Sequence, residues 1–161
     1  VCYILFRGCY LSQKEDSGTF THLTRSTAFA PLVGAKYMSL TTFRRTGVGV
    51  ATPVWFAERD GVIYVETMAG AGKIKRLRHT PRVLLAPCTA TGKVNGPAIA
   101  AQARIITDAS EAAIAEAALA RKYGFARRAY HGMGHLARVI QHQPPMASVY
   151  LAVEPADQNG R

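Results

Sequence analysis

Tyr37-Met38-Ser39-Leu40-Thr41-Thr42-Phe43 is followed by the turn Arg44-Arg45-Thr46-Gly47 and by Val48-Gly49-Val50-Ala51-Thr52-Pro53-Val54-Trp55-Phe56-Ala57. A second turn, Glu58-Arg59-Asp60-Gly61, leads into Val62-Ile63-Tyr64-Val65-Glu66-Thr67. β-rich runs joined by short glycine-ended turns are the signature of antiparallel hairpins, and this decides the fold class. Pro53 lies inside the second run and has no N–H for a ladder, so that strand is expected at an edge or a bulge. Downstream, 82–89, 98–106 and 146–153 read as three further strands, and 73–79 as a helix limited by Pro81. Asp108 or Ser110 caps an alanine-rich helix to about residue 123. A second helical stretch over 126–141 is weakened by Gly132 and Gly134 and ended by Pro144-Pro145. The sum is a mainly β chain with flanking helices (α+β), expected as a six-stranded small closed barrel with helices packed outside.

Upstream, Ser26 is placed to cap a short helix over 28–32 that Gly34 ends. Residues 13–24 are polar and turn-rich, so 1–25 are expected to form an ill-ordered extension, 26–156 the domain and 157–161 a tail. The apolar stretch 1–6 is short and no basic region precedes it, so it is not read as a secretory signal. No apolar run approaches the roughly 18 residues of a membrane span. Of 161 residues, 48% are apolar and 19% charged, which excludes wholesale disorder. Three cysteines, Cys2, Cys9 and Cys88, argue against a disulfide scaffold and for a reducing, cytoplasmic setting.

The net charge of +10 asks for an anionic partner, and its location narrows the choice. Residues 37–107 hold ten basic and three acidic residues, and five of those ten lie within 73–82 without an acid among them. There the sequence runs Gly70-Ala71-Gly72-Lys73-Ile74-Lys75-Arg76-Leu77-Arg78-His79. Glycines let a backbone approach a ligand, and the helix start that follows presents free N–H groups. Ile74 and Leu77, three apart, should share a face against the barrel, and Lys73 and Arg76, also three apart, should share a side near the helix start. Lys73 and Arg76 are therefore the best pair for a phosphate or carboxylate, and Lys75 and His79 point more outward. A solvated surface helix competes on equal terms, since charge runs are common on exposed faces. The segment is not a Walker loop, because Thr67 stands where its first glycine belongs and Ile74 replaces the Ser/Thr after Lys73.

Several stretches in order resemble a known family: 36–45, 51–56, 72–78, 82–88 and Arg121-Lys122-Tyr123-Gly124. Together, over about 28–155, they resemble the deazaflavin (coenzyme F-420)-dependent oxidoreductases of the pyridoxamine-phosphate-oxidase-like, FMN-binding split β-barrel superfamily. The resemblance implies a homodimer with cofactor clefts at the subunit interface, and hydride transfer to a small organic substrate. It implies that Thr67, Lys73, Lys75 and Arg76 bind the cofactor's phosphate and acidic tail. It sets Thr52, Pro53, Val54 and Trp55 along the ring system, with Pro87 and Cys88 ending the next strand. FMN is the alternative cofactor, and a non-catalytic cofactor carrier the alternative role. Ala71 stands where such proteins often carry Ser, and Gly49 where Pro is common.

Other candidates rank lower. His131 and His135 are four apart, but no third ligand or adjacent Glu accompanies them, so no metal is expected. Cys88 reads as a filler of a barrel strand rather than a nucleophile. Arg121-Lys122 suit a helix C-terminus, with Lys122-Tyr123 also matching the family pattern, and Arg127-Arg128 read as surface. Nucleic acid is not expected as a partner, because Tyr37, Phe43, Trp55, Phe56 and Tyr64 do not interleave with the basic cluster. No catalytic dyad or triad is self-evident.

Overall fold

The structure, a computed structural model, describes residues 28–140 and 147–156, without the side chains at 125, 128 and 130–140. The expected extension 1–25, the Ser26 cap, Cys2, Cys9, Pro144-Pro145 and the tail 157–161 lie outside the described residues. After a short 3-10 turn at Ala30–Leu32, the chain forms β1 (Tyr37–Phe43), β2 (Gly49–Val54), β3 (Phe56–Arg59) and β4 (Val62–Met68). Then come α1 (Gly72–Leu77), β5 (Arg82–Cys88), β6 (Ile99–Ile105), α2 (Ala109–Ile140) and β7 (Ser148–Pro155).

The strands make one sheet in the order β2-β1-β5-β6-β7-β4-β3, with every pairing antiparallel. Two expectations are corrected. Among the described residues there are seven strands rather than six, and the sheet they form is not closed by hydrogen bonds, since β2 and β3 are its two edges. The extra strand arises because the run 48–57 breaks at Trp55 into β2 and β3. Trp55 leaves the ladder to stack on Tyr123, with ring centroids 5.0 Å apart and planes 15° from parallel. The next N–H, of Phe56, donates to the Tyr123 hydroxyl at 3.0 Å. One residue thus joins the opposite ends of the sheet order, which obliges the sheet to curl on itself. Pro53 lies on an edge strand, as a residue without an N–H should.

Alternation sorts the side chains into two apolar clusters. Met38, Leu40, Val54, Phe56, Ile63 and Leu85 belong to the inner cluster, and α1 adds Ile74 and Leu77, the pair whose spacing places them on one face. Ala57, Tyr64 and Ala152 project the other way, under Ala115, Leu119 and Tyr123 of α2. Asp108 caps α2, its carboxylate accepting the Glu111 N–H at 2.8 Å. Gly124 interrupts α2 at φ 45° and ψ −117°, a conformation that favours glycine, so the helix is two stretches as the sequence implies.

Candidate functional site

The site grows from the short segment after β4. Ala71 is extended, and no side chain caps the start of α1. Ile74 and Leu77 anchor α1 in the inner cluster, and this anchoring decides where its cations go. Arg76 is half-buried, and its Nε donates to Oγ1 of Thr42 at 2.7 Å. Lys73 is also half-buried. Burial, and secondly the Arg76 charge, hold its ammonium pKa below the ordinary lysine value. Among the described residues, Lys73, Lys75, Arg76 and Arg78 make no ion pair. Stretches 36–57 and 67–107 contain no Asp or Glu at all. Two like charges held together, partly desolvated and without a carboxylate, are an arrangement that an anion would relieve.

The outer cations are differently employed. Lys75 and Arg78 are exposed, as the spacing implies for Lys75. Arg45 Nε donates to His79 Nε2 at 2.9 Å, tying the β1–β2 turn to the end of α1. The Arg82 guanidinium lies over the Phe43 ring, 4.2 Å from its centroid.

The strand residues expected along a ring system fall into rows across β1. Val54, Met38 and Pro87 are register partners in turn, as are Thr52, Leu40 and Leu85. Val54 and Pro87 are thus two strands apart, roughly 10 Å. Thr42, which holds Arg76, is two positions along β1 from Leu40 and four from Met38, roughly 7 and 14 Å. β1 therefore spans from the cationic pair to the row of residues 52–54. Pro53 is exposed, and Trp55 half-buried. Cys88 is buried opposite Tyr37, and burial raises its thiol pKa, which suits a strand filler and not a nucleophile. Thr67 is buried on β4 opposite Val149. The structure brings together Lys73 and Arg76, with Thr42 as an unforeseen third member. It leaves Lys75 on the outside.

Two clusters went unforeseen in the sequence. The Tyr123 hydroxyl accepts the Phe56 N–H and has the carbonyls of Lys36 at 2.8 Å and Phe56 at 2.9 Å as acceptors for its own proton. Burial pushes its pKa up to about 12. Beside it, Lys122 Nζ donates to the Ala35 carbonyl at 3.0 Å and sits 3.5 Å from the Phe56 ring centroid, and burial pulls its pKa down to about 8. The pair clasps α2 to the chain before β1 and to the β2–β3 joint. The second cluster corrects the surface reading of Arg127, which is 7% exposed. Its Nη1 and Nη2 donate to the Glu116 carboxylate at 2.5 and 2.6 Å, and Nε donates to Glu66 at 2.9 Å. The Tyr150 hydroxyl donates to the same Glu116 carboxylate. Chain-distant carboxylates draw this arginine inward, and neither adjoins it in sequence.

His131 and His135 lie in the second stretch of α2, where side chains are outside the described residues. Among the described residues no group of three His, Cys, Asp or Glu side chains is placed to hold a metal ion. No helix among them is long and apolar enough to cross a membrane.

Comparison with known proteins bears on this geometry. Against curated proteins the sequence gives no match. Among solved structures, the heme storage protein HutZ of Vibrio cholerae is 13% identical, with a TM-score of 0.54 over 87% of this chain and 90% of that one. A Clostridium acetobutylicum protein related to general stress protein 26, of the pyridoxinephosphate oxidase family, is 12% identical, with a TM-score of 0.54 over 83% and 84%. A conserved hypothetical protein of Mycobacterium tuberculosis is 18% identical, with a TM-score of 0.53 over 79% and 76%. At such identities these likenesses establish the fold alone. The sequence family described as pyridoxamine 5'-phosphate oxidase matches residues 27–154, from just before the 3-10 turn to β7. Its match takes in every element described above but for the last residue of β7, and on that extent the chain belongs to the pyridoxamine 5'-phosphate oxidase family.

Proposed function

We propose that Lys73 and Arg76 hold the phosphate of a flavin-type cofactor, that this cofactor is the deazaflavin coenzyme F-420, and that the protein is a reductase of a small organic substrate. The observation that carries the reading is the half-buried Lys73–Arg76 pair, which no carboxylate among the described residues neutralises. Each cation would make charge-assisted hydrogen bonds to phosphate oxygens. Thr52, Pro53, Val54 and Trp55 would lie along the ring system, with Pro87 and Cys88 on β5 across β1. Thr67 and Lys75 would flank the phosphate and the tail. Bound there, the cofactor supplies the hydride chemistry, and the protein supplies binding, orientation and exclusion of water. A homodimer in the cytoplasm, with the cleft at the subunit interface, completes the proposal.

FMN is the second reading, because the Lys73–Arg76 pair alone matches a single phosphate. The density of Lys73, Lys75, Arg76 and Arg78 favours the longer tail, which carries further carboxylates. Titration of the purified protein with both cofactors tests the choice. Tighter binding of coenzyme F-420 is expected, and tighter binding of FMN, or stoichiometric flavin retained through purification, overturns it. Loss of reduced-cofactor absorbance on adding quinones or enones is expected of a reductase. No loss with any substrate leaves the carrier role in its place.

A further inference from the structure

We infer that Thr42 is a positioning residue of the anion site: with the absent side chain at Gly72, its hydroxyl fixes the Arg76 guanidinium so that both terminal nitrogens face the ligand. The inference rests on the anion-site reading of Lys73 and Arg76 and adds how that site is built. Thr42 is 1% exposed, on the same side of β1 as the core residues Met38 and Leu40. Its Oγ1 accepts from Arg76 Nε at 2.7 Å. Nε carries one of the five N–H groups of a guanidinium, so the other four, on Nη1 and Nη2, keep their fork geometry. That fork is the shape that takes two oxygens of one phosphate.

Gly72 makes room for the fork. A Cβ built at Gly72 would stand 3.0 Å from Nη1 and 3.9 Å from Cζ of Arg76. A methyl group there would press on Nη1 and shift it by a few tenths of an ångström against the bond that Thr42 makes.

A purely architectural tie between α1 and β1 is the competing account. Two facts weigh against it. Ile74 and Leu77 already bury α1 in the core. Arg76 also lies beside a like charge, which should drive a long, unpaired side chain out into water. A short hydrogen bond at Nε opposes that drift without neutralising the cation, which a carboxylate in the same place would do.

The test separates the phosphate's share of binding from the rest. Affinities are measured calorimetrically for FMN against riboflavin, which differ by the phosphate alone, and for coenzyme F-420 against its deazariboflavin core, which differ by the phosphate and the tail together. The proteins compared are wild type, Thr42→Val, Thr42→Ser, Gly72→Ala, Arg76→Ala and the Thr42→Val/Arg76→Ala double variant. In Thr42→Val the phosphate's contribution is expected to fall about 10-fold, and in Gly72→Ala by less, with the phosphate-free ligands unchanged. Thr42→Ser restores it to within about 2-fold, and Thr42→Val adds nothing once Arg76 is gone. An undiminished phosphate contribution in Thr42→Val, or full additivity in the double variant, overturns the positioning role while leaving the anion site standing. A wild-type protein that binds neither phosphorylated ligand better than its phosphate-free partner overturns the anion site itself, and the positioning role with it.

Discussion

Arg76 and Arg127 are the same residue type in opposite circumstances. Arg127 is buried and gripped by two carboxylates, Glu66 from β4 and Glu116 from the first stretch of α2. Its charge is spent within the chain, fastening the second stretch of α2 to the sheet. Those bonds raise its pKa well above the ordinary arginine value, the Glu116 hydrogen bonds contributing most. Arg76 lies half-buried beside Lys73, with a neutral hydroxyl as its hydrogen-bond partner. Among the described residues one cation is fully neutralised and the other is not. The first serves cohesion, and on the proposed reading the second serves affinity for an anion brought from outside.

The contrast can be broken most severely at Arg127. Arg127→Met removes the cation that Glu66 and Glu116 share, and a loss of about 3 kcal/mol in urea unfolding is expected. A loss under about 0.5 kcal/mol would show the cluster to be incidental. The counterpart is the double change Lys73→Ala/Arg76→Ala. Affinity for coenzyme F-420 should fall at least about 100-fold in a calorimetric titration, at two charge-assisted bonds of roughly 1.5–3 kcal/mol each. Stability should hold or rise slightly, because like-charge repulsion is relieved. Unchanged affinity would put Arg76 back among ordinary surface cations.

Tyr123→Phe sharpens the cohesive side. Removing the hydroxyl leaves the Phe56 N–H and two carbonyls without it, at a cost of about 1–2 kcal/mol in thermal unfolding, with cofactor affinity little changed. The affinity side has a pH signature of its own. Burial and Arg76 depress the Lys73 pKa, and a bound phosphate would raise it. Affinity should therefore decline as pH rises through the depressed value, with proton uptake on binding visible as buffer-dependent heats. Lys73→Arg should flatten that decline.

A last expected effect concerns Lys122. Its pKa is about 8 in the folded chain against an ordinary 10.5, so between those values the unfolded chain holds the extra proton. Stability of the wild type relative to Lys122→Met should consequently rise as pH climbs from 8 to 10.5. A flat difference across that range would show that Lys122 stays solvated.

Much of this contrast could be read from the sequence, and the unread part has a common cause. Strands β1, β4 and β5 fall within a residue of their expected bounds, because alternation and turn glycines act locally. The Ile74–Leu77 face and the Lys73–Arg76 side follow from helical spacing alone. The break at Trp55 did not show, because Thr52, Val54 and Phe56 continue one alternation straight through it. What ends the ladder is Tyr123, which lies 67 residues from the bonded Phe56. Thr42 is 34 residues from Arg76, and Glu66 is 61 from Arg127. Periodicity carries no information about partners at such separations. Arg127 in particular looks like any helix-surface arginine until β4 arrives beside it.

The one-residue joint at Trp55 also has a kinetic meaning. Neighbouring strands in sequence usually pair with each other, yet β2 and β3 end at opposite edges of the sheet. Neither can be settled by the other. β2 waits for β1, β3 waits for β4, and the two halves become mutually placed only through β5, β6 and β7. Long-range closure of this kind slows folding, because much loop entropy is lost before the last contacts form. Trp55 stacks on Tyr123 only when both halves are in position. As the chain's sole tryptophan, its emission in a stopped-flow refolding trace should change in the final phase and stay silent while the separate hairpins assemble.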